Sequence, residues 1–434
     1  MTPGNFALLG IILLVCLFLL RMPVAFAMGF LGFLGFALMS SSKAALSIIS
    51  KDFWANFSSY SLTVIPTFVF MGAIISYSGI AERLYRSAYR AFGELPGGIA
   101  IATCYACAAF GACCGSTNAA AATMGKIALP AMRRYNYDLS LATGCVASAG
   151  SLAILIPPST ILIIYGILTE QSIGKLFIAG IIPGIILASL MALTVYILCK
   201  ARPELGPRGE RTTWEEKFKA ISGLLEVFIL FVIVMGGLIV GIFTPTEAGA
   251  AGAFGALVIS LARRQLTWKG FTDALAETTR ITAMIFLIVT CATIFGHFMA
   301  ITRLPFTLSE WIGRLKMPPN AIMALIIFGY LIGGCFMDSL ALITLTVPII
   351  YPVVVKLGFD PIWFGVIIVL VAEMGVITPP VGINVYVLKS VAPDIPIETM
   401  FRGIFPFLIA IIVCTALLMI FPQLATYLPG LISY

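Results

Sequence analysis

The chain contains an internal duplication, because shifting the sequence by 222 residues superimposes many of its special positions. The shift places Pro23 on Pro245, Pro96 on Pro318, Ser116 on Asp338, Pro130 on Pro352, Asp138 on Asp360, and Pro157-Pro158 on Pro379-Pro380. A shift of 223 also pairs Gly180 and Pro183 with Gly403 and Pro406. With 24 prolines in 434 residues, such agreement at nearly one ungapped offset is not expected by chance. Each half therefore has to fold into a similar series of elements, including two interrupted apolar segments.

Composition identifies the surroundings of these elements. Hydrophobic residues make up 60% of the chain and charged residues only 10%, and the mean hydropathy is +1.07. A soluble protein could not cover this much apolar surface, and runs of about 20 apolar residues, the length that a bilayer requires, recur along the chain. The first run has no basic residues before it, which argues against a cleaved signal peptide. The sequence predicts an all-α polytopic protein embedded in a lipid bilayer.

The apolar runs predict an order of helices that is the same in both halves. The first repeat, 1–200, has spans at 5–20, 22–40, 62–80 and 177–199, a hairpin at 97–132 and a broken helix at 139–168. After a polar cytoplasmic linker at 201–222, the second repeat, 223–434, has spans near 226–242, 245–262, 281–300 and 403–423, a hairpin at 319–354 and a broken helix at 361–388. Each hairpin arm offers about 15 residues, too few to cross about 30 Å of hydrocarbon at 1.5 Å per residue. Both hairpins are therefore predicted to be re-entrant.

The distribution of basic residues predicts the orientation of the repeats. Five full crossings per repeat is an odd number, so the second repeat has to lie inverted relative to the first. In that topology 18 Lys and Arg residues fall on one side of the membrane and seven on the other, with Lys126 inside a hairpin. Basic residues favour the cytoplasmic side. Both termini are then predicted to be periplasmic.

Two stretches of each half place small, polar and proline residues within apolar sequence. In the first half these are the tip 115–118, Gly-Ser-Thr-Asn, and the break 156–159, Ile-Pro-Pro-Ser. Their counterparts are 335–339, which contains Asp338, and 375–382. Irregular backbone at membrane depth has to line a cavity or be buried in protein, and proline leaves carbonyls free. The stretches favour oxygen-lined Na⁺ sites near the midplane of a transporter, with helix N-termini that attract an anionic solute. The alternative is that these residues only cap and kink helices.

Charged residues inside apolar sequence are the remaining candidates, because ionisable groups at membrane depth are expensive and usually functional. Asp338 is the foremost, as a cation ligand, a proton carrier or a member of an ion pair; Glu247 and Glu373 follow. Glu247 lies near a helix start, where capping is as good an explanation. His297 is expected at the membrane interface. Arg303 either binds an anion or is a loop cation at the headgroups.

Several motifs are missing from the sequence. It contains no GxxxxGK[ST], HExxH or GxSxG, and no nucleic-acid or haem motif. Cys104-x-x-Cys107 stands without a second such pair and with a single histidine in the chain, so packing explains it better than metal binding. The sequence thus predicts neither an enzyme nor a nucleic-acid partner, and no organic cofactor.

Five motifs in order resemble the large membrane subunit of TRAP transporters, the DctM-like permeases. They are RMPVAFAMGFLG at 21–32, GSTNAAAATMGKIALPAM at 115–132, AILIPPS at 153–159, FTPTEAGAAGA at 243–253 and VITPPVGINVYV at 376–387. The resemblance covers essentially the whole chain. It implies an elevator-type secondary transporter of the bacterial inner membrane, with a scaffold and a transport domain. It also implies Na⁺-driven import of a small organic anion, together with a periplasmic substrate-binding protein and a small four-helix membrane subunit of DctQ type.

The resemblance also implies site residues at the positions that match its motifs. The expected ligands of two or more Na⁺ ions are Gly115, Ser116, Thr117, Asn118, Gly150, Pro157, Cys335, Asp338, Ser339, Gly375, Thr378, Pro379 and Gly382. The expected substrate contacts are Ser116, Asn118, Ser159, Asp338, Ser339 and Asn384, and Arg303 joins them for its ability to bind an anion and not through a motif. Because Asp338 stands where the first half has Ser116, the two ion sites are not expected to be equal.

Other interpretations remain open at this point. A stand-alone carrier for dicarboxylates or citrate would share these features and differ in needing no binding protein. A channel would use similar re-entrant loops and carbonyls, and an intramembrane enzyme lacks its catalytic pairings here. The sequence does not rank dicarboxylate, sugar acid or sulfonate as the solute.

Overall fold

The structure, a computed structural model, describes residues 3–20, 22–314 and 317–432. Every regular element within these ranges is helical, with no strand among the described residues. Seven of the described helices are long and apolar enough to cross a membrane, or eight if one bent pair counts as a single span. The prediction of an all-α polytopic membrane protein is confirmed.

The first half runs from α1 to α11. These helices are α1 Pro3–Leu19, α2 Val24–Met39, α3 Ser42–Phe57, α4 Val64–Tyr77, α5 Ile80–Phe92, α6 Gly98–Cys114, α7 Thr117–Arg134, α8 Leu139–Gly150, α9 Leu152–Leu155, α10 Thr160–Thr169 and α11 Ile173–Ala201. Short 3₁₀ turns occupy Tyr60–Thr63 and Pro203–Leu205.

The second half runs from α12 to α22. These helices are α12 Trp214–Phe231, α13 Gly237–Ile239, α14 Pro245–Ala262, α15 Trp268–Ile301, α16 Leu304–Arg314, α17 Pro319–Phe336, α18 Ser339–Lys356, α19 Pro361–Ile377, α20 Ile383–Val391, α21 Ile397–Ile420 and α22 Gln423–Gly430. A π-helical turn at Val232–Gly236 joins α12 to α13.

The order of helices recurs at the offset of the sequence duplication. The pair α6 and α7 corresponds to α17 and α18, and α7 and α18 begin and end 222 residues apart. Asp138 and Asp360, also 222 apart, cap the starts of α8 and α19 by accepting from backbone N–H groups. The predicted hairpins and broken helices thus correspond to α6–α7, α8–α10, α17–α18 and α19–α20.

The arms of both hairpins are longer than predicted. They contain 17 or 18 residues instead of about 15, because each helix continues up to the residue that caps it at the tip. At 1.5 Å per residue this is about 27 Å. By length and composition, α17 and α18 are both long and apolar enough to cross a membrane. Arm length therefore does not distinguish these arms from full crossings.

Several helices with lower hydropathy are not predicted by the apolar runs of the sequence. The clearest are α3 and α5, and α5 places Arg83, Arg86 and Arg90 opposite a buried apolar face. In addition, α12 begins at Trp214, inside the predicted linker 201–222, and α15 begins at Trp268 instead of 281. A search for uniformly apolar runs does not detect amphipathic segments, whereas a 3.6-residue period would.

The two hairpins differ in how deeply they are buried. Fifteen of the 17 residues of α6 are buried, and its small side chains let it pack against α5, α8 and α11. Only five of the 18 residues of α17 are buried, and it packs chiefly on α19. Exposed large apolar side chains such as Phe26, Phe30 and Phe328 fit a lipid-facing exterior.

Candidate functional site

The first hairpin tip is attached to the first helix break. Gly115 ends α6 with a φ of +60°, and its carbonyl accepts a hydrogen bond from Thr160 Oγ1 at 2.9 Å. A Cβ at Gly115 would lie 2.6 Å from the Pro158 carbonyl oxygen, so only glycine fits without a shift. Ser116 caps α7, where its side chain accepts from Ala119 N at 3.4 Å. Tip and break therefore form one joint.

The first break itself is enclosed by protein. Pro157, Pro158 and Ser159 are all buried, and Ser159 caps α10 by accepting from Leu162 N at 3.3 Å. Gly150, at the end of α8, packs on α7, since a Cβ there would lie 3.0 Å from Ala121 Cβ. The bend across this break is 40°.

The second tip resembles the first but carries a charge. Asp338 is half-buried and caps α18 by accepting from Leu340 N at 3.1 Å. Cys335, one turn earlier, is buried, and its Sγ bonds to Leu331 O at 3.2 Å within its own helix. The tip chain is extended at Met337, with φ −130°, where the first half has left-handed Gly115.

The second break is more open than the first. Pro379 and Pro380 are exposed, and Thr378 Oγ1 donates to Met374 O at 2.6 Å within α19. Gly382 starts α20 with a φ of +63° and faces the Phe401 ring. Gly375 contacts α17, where a Cβ would lie 2.5 Å from the Gly334 backbone. The second hairpin thus contacts α19 before the break, whereas the first contacts the break itself.

One buried carboxylate joins the two tips. Glu373, on α19, is 2% exposed. Its Oε1 accepts from Ser339 Oγ at 2.7 Å and its Oε2 accepts from Thr117 Oγ1 at 2.9 Å. Thr117 and Ser339 are the first helical residues of α7 and α18. The structure therefore brings both tips to one group.

A cavity of about 80 Å³ lies where the tips meet two unbroken helices. Residues of α4 and α15 face it from one side, and both tips together with α9 and α10 face it from the other. Its polar lining residues are Ser76, Ser116, Thr117, Asn118, Thr160, Glu277 and Asp338. Among the described residues that line it, none is Lys or Arg.

The cavity separates the predicted substrate contacts into two groups. Ser116, Asn118 and Asp338 line it, whereas Ser159, Ser339, Asn384 and Arg303 do not. Arg303 is exposed, with a φ of +55°, between α15 and α16. The alternative interpretation of Arg303, as a loop cation, fits this position.

Asn384 instead connects the two broken helices. It is fully buried, and its Nδ2 donates to Ala147 O on α8 at 3.3 Å, while its Oδ1 has no protein partner within the described chain. At the end of α7 that is far from the tip, Arg133 forms an ion pair of 2.8 Å with Asp394, after α20. The Arg133 hydrogen bond lowers the pKa of the Asp394 carboxyl from its ordinary value. The two halves are therefore interlocked around the site.

The other charged candidates have structural partners. Glu247 forms a capping box with Thr244 at the start of α14. His297 pairs with Asp52 of α3 at 3.2 Å. Cys104 and Cys107 are buried and free, and the described residues contain no group of three or more His, Cys, Asp or Glu suited to a metal.

Of the acidic residues at the site, Glu277 was not predicted from the sequence, and Glu373 was named as an intramembrane charge without its contacts. Glu277 was hidden in the polar start of α15, which the hydropathy pattern did not include in a span. Glu373 stood out as an intramembrane charge, but its contact with Thr117 joins residues 256 positions apart. A carboxylate in an otherwise apolar helix was the available signal for Glu373.

Comparison with known proteins identifies a family for residues 11–424. A family described as "Tripartite ATP-independent periplasmic transporter, DctM component" matches residues 11–424. The C4-dicarboxylate TRAP transporter large permease protein DctM of Pseudomonas aeruginosa is 36% identical over 375 residues, 86% of each chain. The sialic acid TRAP transporter large permease protein SiaM of Vibrio cholerae is 34% identical over 412 residues, 94% of this chain and 95% of the relative.

A further relative and a solved structure extend the comparison. The ectoine/5-hydroxyectoine TRAP transporter large permease protein UehC of Ruegeria pomeroyi is 32% identical over 419 residues, 96% of this chain and 97% of the relative. The fold resembles that of the Alcanivorax borkumensis YdaH transporter, with a TM-score of 0.65, 14% identity, and coverage of 87% of this chain and 89% of that one. The chain belongs to the DctM family, the large permease component of tripartite ATP-independent periplasmic transporters.

Proposed function

We propose that the chain is the large permease subunit of a Na⁺-coupled importer for a small organic anion. The observation that carries this function is the cavity that both hairpin tips share. Paired breaks in the two halves of a duplicated membrane protein mark the solute site of secondary transporters. One tip comes from each half, so the solute would be bound between them.

The charges around the cavity support cation coupling. Glu277 and Asp338 line it, and none of its described lining residues is basic. An anionic solute would meet two carboxylates, which like-charge repulsion disfavours. The N-termini of α7 and α18 at the tips offer partial positive charge, and bound Na⁺ would supply the rest.

The ion sites are proposed at the junction of each tip with its neighbouring break. The first would use carbonyl and hydroxyl oxygens from the tip 115–118 together with Gly150 and Pro157. The second would use Cys335, Asp338 and Ser339 together with Gly375, Thr378, Pro379 and Gly382. The first junction is supported by the contact of Gly115 with Thr160 and Pro158.

An elevator motion in the inner membrane is the mechanism we propose. The hairpins and broken helices pack into one interlocked body, and α4 and α15 face the cavity as unbroken helices. The body of hairpins and broken helices would move, and α4 and α15 would belong to the scaffold. The excess of basic residues on one side supports inverted repeats, re-entrant hairpins and periplasmic termini.

The partners follow from the tripartite family. We propose a small membrane subunit of DctQ type and a periplasmic substrate-binding protein that delivers the solute. The isethionate TRAP transporter permease protein DctMQ of Oleidesulfovibrio alaskensis, 34% identical over 410 residues, covers 92% of this chain, which spans 62% of that relative. Its additional length and its name support a second membrane component.

A solute with a cationic group is the second candidate. The Asp338 and Glu277 carboxylates in the cavity favour such a group, and one relative is named for ectoine. A zwitterion would place its carboxylate at the helix N-termini and its cation near the acidic side chains.

Uptake into proteoliposomes tests the proposal. The permease would be reconstituted with the small membrane subunit and supplied with the substrate-binding protein. Uptake of radiolabelled succinate, isethionate, sialic acid and ectoine would be measured in Na⁺ or choline gradients. We expect saturable uptake of one solute that requires both Na⁺ and the binding protein. Uptake with Na⁺ alone would indicate a stand-alone symporter, and non-saturating, gradient-independent flux a channel.

A further inference from the structure

Glu373 differs from the rest of the site because one carboxylate is divided between two hairpins. Each of its oxygens accepts one hydroxyl hydrogen bond, at 2.7 Å from Ser339 and at 2.9 Å from Thr117. These donors occupy equivalent positions, since Thr117 falls on Ser339 at the 222-residue offset. The two tips are thus tied to the same rigid group.

The surroundings of Glu373 make these two bonds important. The residue is 2% exposed, and no ion pair within the described residues includes it. A buried carboxylate without a cationic partner depends on its hydrogen bonds, and losing a donor leaves an oxygen unsatisfied. Moving either tip away would therefore remove one hydrogen bond from Glu373 and destabilise the carboxylate to which the other tip is still bonded.

The duplication places this group in one half only. The equivalent position in the first half is Ser151, whose Oγ donates to Ser148 O at 2.6 Å within its own broken helix. Ser151 therefore makes no tip-to-tip connection through this hydrogen bond. Glu373 also does not line the cavity, whereas Thr117 and Asp338 do.

We propose that Glu373 is a positioning residue that couples the two hairpin tips, so that binding at one tip alters the affinity at the other. It acts through Thr117 and Ser339 and does not touch the solute. The inference rests on the proposed function of the cavity as the shared solute and ion site. Energetic coupling between two sites requires a common element that both of them bias, and this carboxylate is such an element.

A mutant cycle measures the coupling. Thr117→Val, Ser339→Ala and the double variant would be assayed for half-saturating Na⁺ and half-saturating solute in proteoliposomes, first with Glu373 and then with Glu373→Leu. With Glu373, we expect the effect of the double variant to differ from the product of the single effects by about fivefold or more. With Glu373→Leu, the single effects should multiply, because the leucine side chain has no acceptor for either hydroxyl.

Two controls keep the result specific. Thr117→Ser retains a hydroxyl and should retain the coupling, and Ser151→Ala, at the duplicated position, should leave it unchanged. Size-exclusion chromatography of each purified complex shows whether the variants fold. If Glu373→Leu does not fold, comparison of Thr117→Ser with Thr117→Val decides. The effect of Ser339→Ala on half-saturating Na⁺ and solute should change in Thr117→Val and stay the same in Thr117→Ser.

The inference fails if single effects multiply in the presence of Glu373, or if the coupling persists unchanged with Glu373→Leu. It can be separated from the proposed function. Uptake without any Na⁺ dependence would overturn Na⁺ coupling, while the cycle on half-saturating solute would still decide the role of Glu373.

Discussion

The two halves use one helical pattern but join tip to break in different ways. In the first half, Gly115 bonds through its carbonyl to Thr160, and the break residues around Pro158 are buried. In the second half, Thr378 bonds within its own helix, and Pro379 is exposed. The first tip and break form a closed joint, whereas the second break is open.

This difference indicates which hairpin opens more easily. The first hairpin has α6 deep in the protein, while the equivalent α17 is mostly exposed. Local opening is easiest where few apolar contacts and few backbone bonds have to break. We therefore expect the second hairpin to open more readily than the first within the moving body.

The halves also differ in charge. Asp338 and Glu373 fall on Ser116 and Ser151 of the first half at the 222-residue offset. Both carboxylates of the tip region therefore come from the second half. The half whose hairpin opens more easily therefore also carries the carboxylates of the tip region, which attract cations.

The largest expected contrast is between Gly115→Ala and Met337→Ala, at equivalent positions. Alanine at position 115 would have to adopt a left-handed backbone conformation, and its Cβ would lie 2.6 Å from the Pro158 carbonyl oxygen. We expect Gly115→Ala to lower the free energy of unfolding by about 2–4 kcal/mol. Met337→Ala, in extended backbone, should cost about 1 kcal/mol. Unfolding of the purified complex in detergent measures both, and equal losses would contradict the closed joint.

We expect the labelling rates of cysteines placed in the two breaks to differ by about tenfold. This corresponds to a difference of about 1.4 kcal/mol in the free energy of local opening. The matched variants are Ser159→Cys, at a fully buried site, and Val381→Cys, at a half-buried one. A Cys16→Ser background removes the exposed native thiol. A small maleimide should modify the second break faster, and similar rates would show that both breaks are equally closed.

The smallest contrast concerns two threonines. Thr160→Val removes the donor to the buried Gly115 carbonyl and should cost about 1–2 kcal/mol, because a buried acceptor is left unpaired. Thr378→Val removes only a bond to Met374 O in the same helix, and it should cost less than about 0.5 kcal/mol. Thermal unfolding of the two variants provides the comparison, and the reverse order would contradict it.

The duplication made much of this fold predictable from the sequence. Prolines and glycines at fixed offsets mark helix ends because proline cannot donate and glycine accepts positive φ. The starts of α8 and α19 at Asp138 and Asp360 follow from capping chemistry. The family also followed from these motifs, and that prediction is confirmed.

What the sequence could not predict depends on long-range packing. Neither α3 nor the amphipathic α5 contains an apolar run long enough to be predicted as a span. Arg303 was a predicted substrate contact, but the fold places it away from the cavity lining. The role of Glu373 depends on Thr117, 256 residues away, and no local pattern encodes that distance.

The Na⁺ dependence of uptake in Ser116→Ala and Asp338→Asn tests the central claim most directly. These equivalent residues both line the cavity, so each variant should raise the half-saturating Na⁺ concentration. Because Asp338 carries the charge, its variant should have an effect about tenfold larger, or about 1.4 kcal/mol. The half-saturating concentration of binding protein should stay unchanged in Ser116→Ala. Unaltered Na⁺ dependence in both variants would show that the cavity between the tips is not where the driving ion acts.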